Sequence, residues 1–286
     1  LPDRDWSLVL FTTLAQWSAG IVLLLSWSLF SNTGPVFATV IGAGNPVLLA
    51  LMLIAAATLS AFLHLGNPAN APKALNNLAG SWLSREILAI AVFSLSLFST
   101  LVSGWLSGAG AALQYLLALS ALCGLALLWM MARIYLVPTI PAWNNWHTPV
   151  SFILTTLNLG LCSLLVFQAA GMARIDDVLV NGLMTALMLT LFATTAAGLL
   201  HQLQLQKLNS CMHKPVFDRG PFFTVFLLRM ALLLGAFLTI FYVLIHTTLL
   251  PESNYSAWLY ALGSLVLAEE IAGRFLFYAA YFRTGV

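Results

Sequence analysis

Charge is what this sequence has least of: Asp, Glu, Lys and Arg together make up 7% of its 286 residues, against about a quarter in ordinary water-soluble proteins. A chain so poor in charge and 61% hydrophobic has lipid as its natural solvent. The formal net charge of +2 comes without any cluster of Lys or Arg, which excludes a phosphate-tracking nucleic-acid binder. Cysteine is also scarce. Cys123, Cys162 and Cys211 lie far apart with no CxxC or mixed Cys/His spacing, so no iron-sulfur cluster or zinc site of the chain's own is expected, and the three thiols read as apolar packing. Short segments of alternating polarity are missing as well, which argues against a membrane β-barrel.

Long apolar runs are what the sequence has in abundance. A span needs about 20 largely apolar residues, and eight windows qualify, at roughly 8–30, 46–65, 84–104, 111–136, 149–170, 178–202, 222–247 and 256–282. The links between them (SNTGP, GAGNP, GNPANAP, SGAG, PTIPAWNNWHTP and PESNYS) are rich in Gly, Pro and Asn, as turns are. The expected fold is an all-α integral membrane protein, one membrane domain over 1–286, with eight helices in a bundle and both termini on one side, called the terminal side below. The segment LPDRDW supplies no basic lead-in to the first run, so that run is expected to be a mature helix and not a signal peptide. Trp6, Trp82, Trp143 and Trp146 fall near window ends, as interfacial anchors do.

Ionisable groups inside spans are costly and become functional candidates, with snorkelling near an end as the competing explanation. His64 closes the second window and Glu86 opens the third, so a hairpin returns both to one face. Arg133 and Tyr135 close the fourth on that face. Arg229 lies about 10 Å into the seventh by the helical rise and requires a buried partner, for which Glu270 is the expected choice. Glu270 and Arg274 are spaced i, i+4, as an ion pair within one helix would be. All of these groups fall in one half of the bilayer, which describes a polar pocket opening towards one surface.

A quinol suits such a pocket: its head carries two hydroxyls, its isoprenoid tail needs lipid, and its oxidation releases two protons. A histidine and a carboxylate can take those protons near neutral pH. His64 and Glu86 are therefore the candidate catalytic pair. Arg85 or Lys73 would hold Glu86 ionised, the breaker-rich segment beginning at Gly66 would offer backbone amides to a ligand oxygen, and Arg133, Tyr135 and His147 would line the rim. Each also has a plainer reading. His64 would face headgroups, Glu86 would offset a helix dipole, Arg133 would snorkel, and Glu270 with Arg274 would lock two helices together. His201, His213 and His246 show no pairing along the sequence. The histidines are not arranged in facing pairs at two depths, so a haem-free chain with no metal site is expected.

The blocks HLGNP, LNNLAGSWLSREI, WMMARIY, PAWNNWHTP, FLLRMALLL and EEIAGRFLFYAA, in this order over nearly the full chain, resemble the DmsC family, the membrane-anchor subunit of anaerobic dimethyl sulfoxide reductases. The resemblance implies an inner-membrane, multi-pass subunit that oxidises menaquinol and passes electrons to an iron-sulfur subunit with 4Fe-4S clusters. That subunit feeds a molybdopterin catalytic subunit, and the whole forms a heterotrimer used in anaerobic respiration. It also implies that His64 and Glu86 are the quinol-site pair. Asn70 stands where the family commonly has an arginine, and Glu269 looks like an extra acid beside a family-like Glu270. Orientation draws opposite answers. The positive-inside count (Arg4, Lys73, Arg85, Arg133, Lys207, Lys214, Arg219 and Arg283 against Arg174) puts the terminal side in the cytoplasm; exported partner subunits would put it in the periplasm. A proton-coupled transporter and a purely structural anchor are the alternatives, although no inverted repeat supports the former.

Overall fold

The computed structural model describes residues 5–30, 36–37, 45–64, 73, 75–107, 111–212, 221–249 and 255–281. Among them eight long helices form: α1 (Asp5–Phe30), α2 (Pro46–His64), α3 (Trp82–Ser107), α4 (Ala111–Tyr135), α5 (His147–Ala169), α6 (Asp177–Met212), α7 (Pro221–Leu249) and α8 (Ser256–Ala279). The first seven are long and apolar enough to cross a membrane. The helix α8 is long enough too, but Glu269, Glu270 and Arg274 lower its apolarity.

Local sequence sets the helix starts. Asn45 caps α2, its Oδ1 accepting from the amides of Val47 at 2.8 Å and Leu48 at 3.4 Å, and Pro46 follows at the first helical position, where a missing N–H costs nothing. Asp176 caps α6 through the Leu179 amide at 2.7 Å, and Asn145 accepts from the His147 amide at 2.9 Å at the start of α5. At the end of α5, Gly171 adopts φ 69°, and the Met172 amide reaches back to the Phe167 carbonyl at 2.9 Å, a left-handed stop that favours glycine. There a two-residue antiparallel pair, β1 (Val36–Phe37) with β2 (Ala173–Arg174), joins two links. Tyr255 donates to Asp177 Oδ1 at 3.1 Å, tying the starts of α8 and α6; burial, then this bond, push its phenol up to about 12.

One helix departs clearly from the apolar window expected for it. The sequence suggests 178–202, yet α6 continues to Met212. Its last turns read HQLQLQKLNSCM, which is helix-forming but polar, and an apolarity criterion does not register such an extension. At 1.5 Å per residue a 36-residue helix is about 54 Å long, well beyond the roughly 30 Å of a hydrocarbon core.

Packing is organised around α1, which contacts α2, α4, α5 and α8, and around α5, which contacts α1, α4, α6 and α8. Lipid is as apolar as leucine, so helices in a membrane associate through close packing and interhelical hydrogen bonds. The α1–α5 crossing shows the first of these. A Cβ on Gly160 would stand 2.7 Å from the Gly20 carbonyl oxygen, and one on Gly20 would collide with the Thr156 carbonyl. Outward rows such as Leu63, Leu106, Tyr115 and Phe192 are exposed, as lipid-facing side chains are. Trp6 of α1 meets Phe275 of α8 with ring centroids 5.3 Å apart. This end, the Trp6 end, also receives the end of α4 and the start of α5.

Candidate functional site

Charged and polar side chains gather inside the Trp6 half of the bundle, in two groups. The first is shallow. Glu86, one turn into α3, is buried, with 6% of its surface exposed. It lies within electrostatic range of the phenols of Tyr135 and Tyr278, which share a hydroxyl–hydroxyl bond of 2.7 Å. Tyr278 donates in turn to Thr12 Oγ1 at 3.4 Å. Tyr135 sits in an aromatic nest, edge-on to Trp143 and Phe277 with centroids 5.4 Å away in each case.

The arginine next to Glu86 points elsewhere. Arg85 donates from Nε to the Leu78 carbonyl and from Nη2 to the Ala79 carbonyl, each at 2.7 Å, closing the turn before α3, and its guanidinium lies 4.2 Å from the Trp82 ring centre. Arg133 approaches the same indole at 4.9 Å. Arg85 is therefore engaged by carbonyls and an aromatic face and Arg133 by aromatic faces, and among the described residues neither forms an ion pair with Glu86. Lys73 is exposed. His64 ends α2, which packs on α3; its side chain and Gly66 lie outside the described residues.

The second group is deep. Glu269, fully buried on α8, accepts from Arg229 Nε of α7 at 2.7 Å. This corrects the pairing expected from the sequence, in which Glu270 was to be the partner of Arg229. One residue of helix turns a side chain by about 100°, so Glu269 faces α7 while Glu270 faces α5. There Glu270 accepts from Thr155 Oγ1 and from Asn158 Nδ2, both at 2.7 Å. Nor do Glu270 and Arg274 form a direct ion pair. Thr155 stands between them, receiving an Arg274 Nη2 bond at 3.2 Å, while the same Nη2 donates to Gln16 Oε1 of α1 at 2.6 Å. The Arg274 guanidinium lies over Phe152 at 4.1 Å. Gly273 makes room for the neighbouring cation: a Cβ there would stand 2.7 Å from Arg229 Cζ.

His147 belongs to this deeper side. It is buried at the start of α5, and its ring stacks on His201 of α6 with centroids 4.1 Å apart and planes 4° from parallel. Sequence reasoning passed over His201, Gln16, Thr155, Asn158 and Thr194, all of which join this network or border it. The available signal was weak: uncharged polar residues recur in apolar helices at little cost, and only their shared depth near the Trp6 end sets these apart. The largest cavity among those described lies in the other half, an apolar crevice of about 230 Å³ between α1, α2, α5 and α8 lined by Trp17, Cys162, Tyr260 and Leu267 among others. Among the described residues no cluster of His, Cys, Asp or Glu has the form of a metal site.

Chemically, the two groups differ. The deep one holds its two acids with Arg229, Thr155 and Asn158 and joins α1, α5, α6, α7 and α8. The shallow one offers a buried carboxyl with no ion-pair partner among the described residues, in electrostatic range of two phenols.

Comparison with known proteins agrees with the full-length pattern of blocks. The chain is similar to anaerobic dimethyl sulfoxide reductase chain YnfH of Escherichia coli (strain K12), 28% identical over 295 aligned positions that span 99% of this chain and 97% of the relative. A second anaerobic dimethyl sulfoxide reductase polypeptide of the same organism is 27% identical over 300 positions, again covering 99% and 97%. A shorter likeness, 34% over 145 positions and 47% of this chain against 44% of the relative, is to a sulfite dehydrogenase subunit of Allochromatium vinosum. The family model described as DMSO reductase anchor subunit (DmsC) matches residues 3–280, and the chain belongs to that family.

Proposed function

We propose that this chain is the quinol-oxidising membrane anchor of a reductase complex in the bacterial inner membrane. In this reading it crosses the membrane eight times with both termini on one side. At the Trp6 end it carries an iron-sulfur subunit with 4Fe-4S clusters, which relays electrons to a molybdopterin catalytic subunit in a heterotrimer. The observation that carries the reading is Glu86: a carboxyl 6% exposed at one end of a lipid-facing bundle, with no ion pair among the described residues, in a member of an anchor-subunit family.

Menaquinol is the proposed substrate. Its tail would lie in lipid and its head between the end of α2 and the start of α3. Oxidation removes two electrons and two protons. The His64 imidazole accepts one hydroxyl proton and the Glu86 carboxylate the other, while both electrons leave to the partner's nearest cluster and the quinone returns to the bilayer. A carboxylate with no ion-pair partner among the described residues suits this role because it can alternate between charged and neutral forms with little rearrangement around it. Arg85, by closing the turn at Leu78 and Ala79, and Arg133, from across Trp82, shape the entrance. Tyr135 bounds it on the inner side.

The test is quinol-driven turnover of the assembled complex with His64→Ala or Glu86→Gln. General acid–base groups contribute about 10²–10⁴-fold. A loss of that size is expected in both variants, with assembly and dye-driven reduction by the catalytic subunit unchanged. Unimpaired quinol turnover in either variant would remove that residue from the site.

A further inference from the structure

The deep group contains more hydrogen-bonding capacity than the protein satisfies. Among the described residues, Nε and Nη1 of Arg274, Nδ1 of His147, Nδ1 of His201 and Oε2 of Glu269 are buried and have no protein partner. Buried polar atoms are normally paired, and where the protein supplies no partner a bound water commonly does.

The space for such waters is present. One cavity of about 20 Å³ is bordered by His147, Thr155, Thr194, Arg229, Glu270 and Arg274. A second, of about 30 Å³, is bordered by His147, Gly198, His201, Gln202, Phe222 and Arg229. A water requires about 10–15 Å³ and two to four polar partners, so each cavity accommodates one or two and neither admits a larger ligand. The cavities share His147 and Arg229, and they lead from Glu270 past the stacked imidazoles to Gln202, at the end of the apolar window of α6.

We propose that these cavities form a hydrated proton passage joining the buried Glu269/Glu270 pair to the aqueous surface at the Trp6 end by way of His147 and His201. The neighbouring charged and titratable groups fit this use. Arg229 on α7 and Arg274 on α8 balance the two carboxylates; Tyr278 on α8 and Tyr135 on α4 stand beyond Arg274, and Cys162 lies on α5. With both acids ionised the cluster is neutral, so taking up one proton leaves a single positive charge held between two guanidinium groups. A proton moves inward by shifting along bridging waters and onto a carboxylate oxygen, and it leaves by the same route; no bond to carbon is made or broken and no oxidant is needed. The passage is independent of quinol oxidation and operates in the resting protein.

The test uses the intact complex in lipid nanodiscs without quinol. A laser pulse releases a caged proton, and infrared absorption follows the carboxyl C=O band of a buried acid, assigned by its disappearance in Glu269→Gln or Glu270→Gln. Gly198 borders the outer cavity, and a Cβ there meets only Arg229 Nη1, at an ordinary 3.5 Å, so the side chains of Gly198→Val and Gly198→Leu start out into that space beside Arg229. In both, the band is expected to rise more slowly than in the parent by about tenfold or more, because the filled cavity no longer holds its bridging water. Dye-driven reduction by the catalytic subunit serves as the assembly control. A band absent from the parent, or one that rises at the same rate in all three proteins, overturns the proposal. Neither result bears on Glu86, whose role is read from quinol turnover.

Discussion

Glu86 and Glu269 are both buried carboxyls at the same end of one bundle, yet their surroundings are opposite. Glu269 is 0% exposed and bonded to Arg229, and its neighbour Glu270 is held by Thr155 and Asn158. Glu86 is buried nearly as well, but the adjacent arginine has turned to the carbonyls of Leu78 and Ala79. Burying a charge is expensive unless it is paired. The deep acids are held by Arg229, Thr155 and Asn158 and bind helices together; among the described residues the shallow acid has no ion-pair partner. Burial alone therefore does not say what an acid does in the fold; its partners decide whether it also ties helices together.

The sharpest way to break this contrast is to remove the counter-ion from the deep pair. Arg229→Ala should cost about 3–5 kcal/mol, the usual result of leaving one member of a buried pair uncompensated, read as a loss of thermal stability of the purified complex. Replacing both members in Arg229→Leu/Glu269→Leu should recover most of that loss. An Arg229→Ala protein as stable as the parent would show that the pair does not lock α7 to α8.

Glu86→Gln comes next, with an effect of the opposite kind. Stability should be unchanged or slightly improved, since a buried acid with no ion-pair partner among the described residues is made neutral, while quinol-driven turnover falls by about 10²-fold or more. Denaturation and turnover measured on the same sample separate the two outcomes.

Arg85→Lys is a finer probe. If Arg85 served Glu86 as a nearby positive charge, lysine would suffice. Because its planar fork bonds two carbonyls and stacks on Trp82, lysine should not replace it, and the quinol KM should rise several-fold, about 1 kcal/mol in binding terms. A KM equal to the parent's would return Arg85 to the electrostatic role.

The smallest effect is expected for Thr155→Val, which removes the hydroxyl between Glu270 and Arg274. Interhelical hydrogen bonds in membranes contribute about 0.6 kcal/mol on average and about 1.7 at most, so a small drop in thermal stability with quinol turnover intact is expected.

The helices were legible in the sequence because apolar runs and Gly/Pro/Asn links obey strict physical limits in lipid. The far end of α6 was not, since a polar helix beyond the bilayer carries no apolar signal. The polar half of the bundle was legible too, from the depth of each charged residue in its window. Its internal pairing was not: whether Arg229 meets Glu269 or Glu270 depends on which helices flank α8 and on its rotation, and spacing along α8 alone favours the i, i+4 choice. The stack of His147 on His201 is likewise a tertiary fact, made by two helices whose sequences give no reason to pair those positions.

The central claim, that quinol is oxidised beside Glu86 at the α2–α3 end, is tested most directly by a cryo-electron microscopy structure of the whole complex with a menaquinol analogue bound. The account predicts the head group between the end of α2 and the start of α3, with one oxygen in hydrogen-bonding distance of the Glu86 carboxyl and the other of the His64 imidazole. A head group seated in the apolar crevice beside Trp17 and Tyr260, with Glu86 and His64 apart from it, would contradict it.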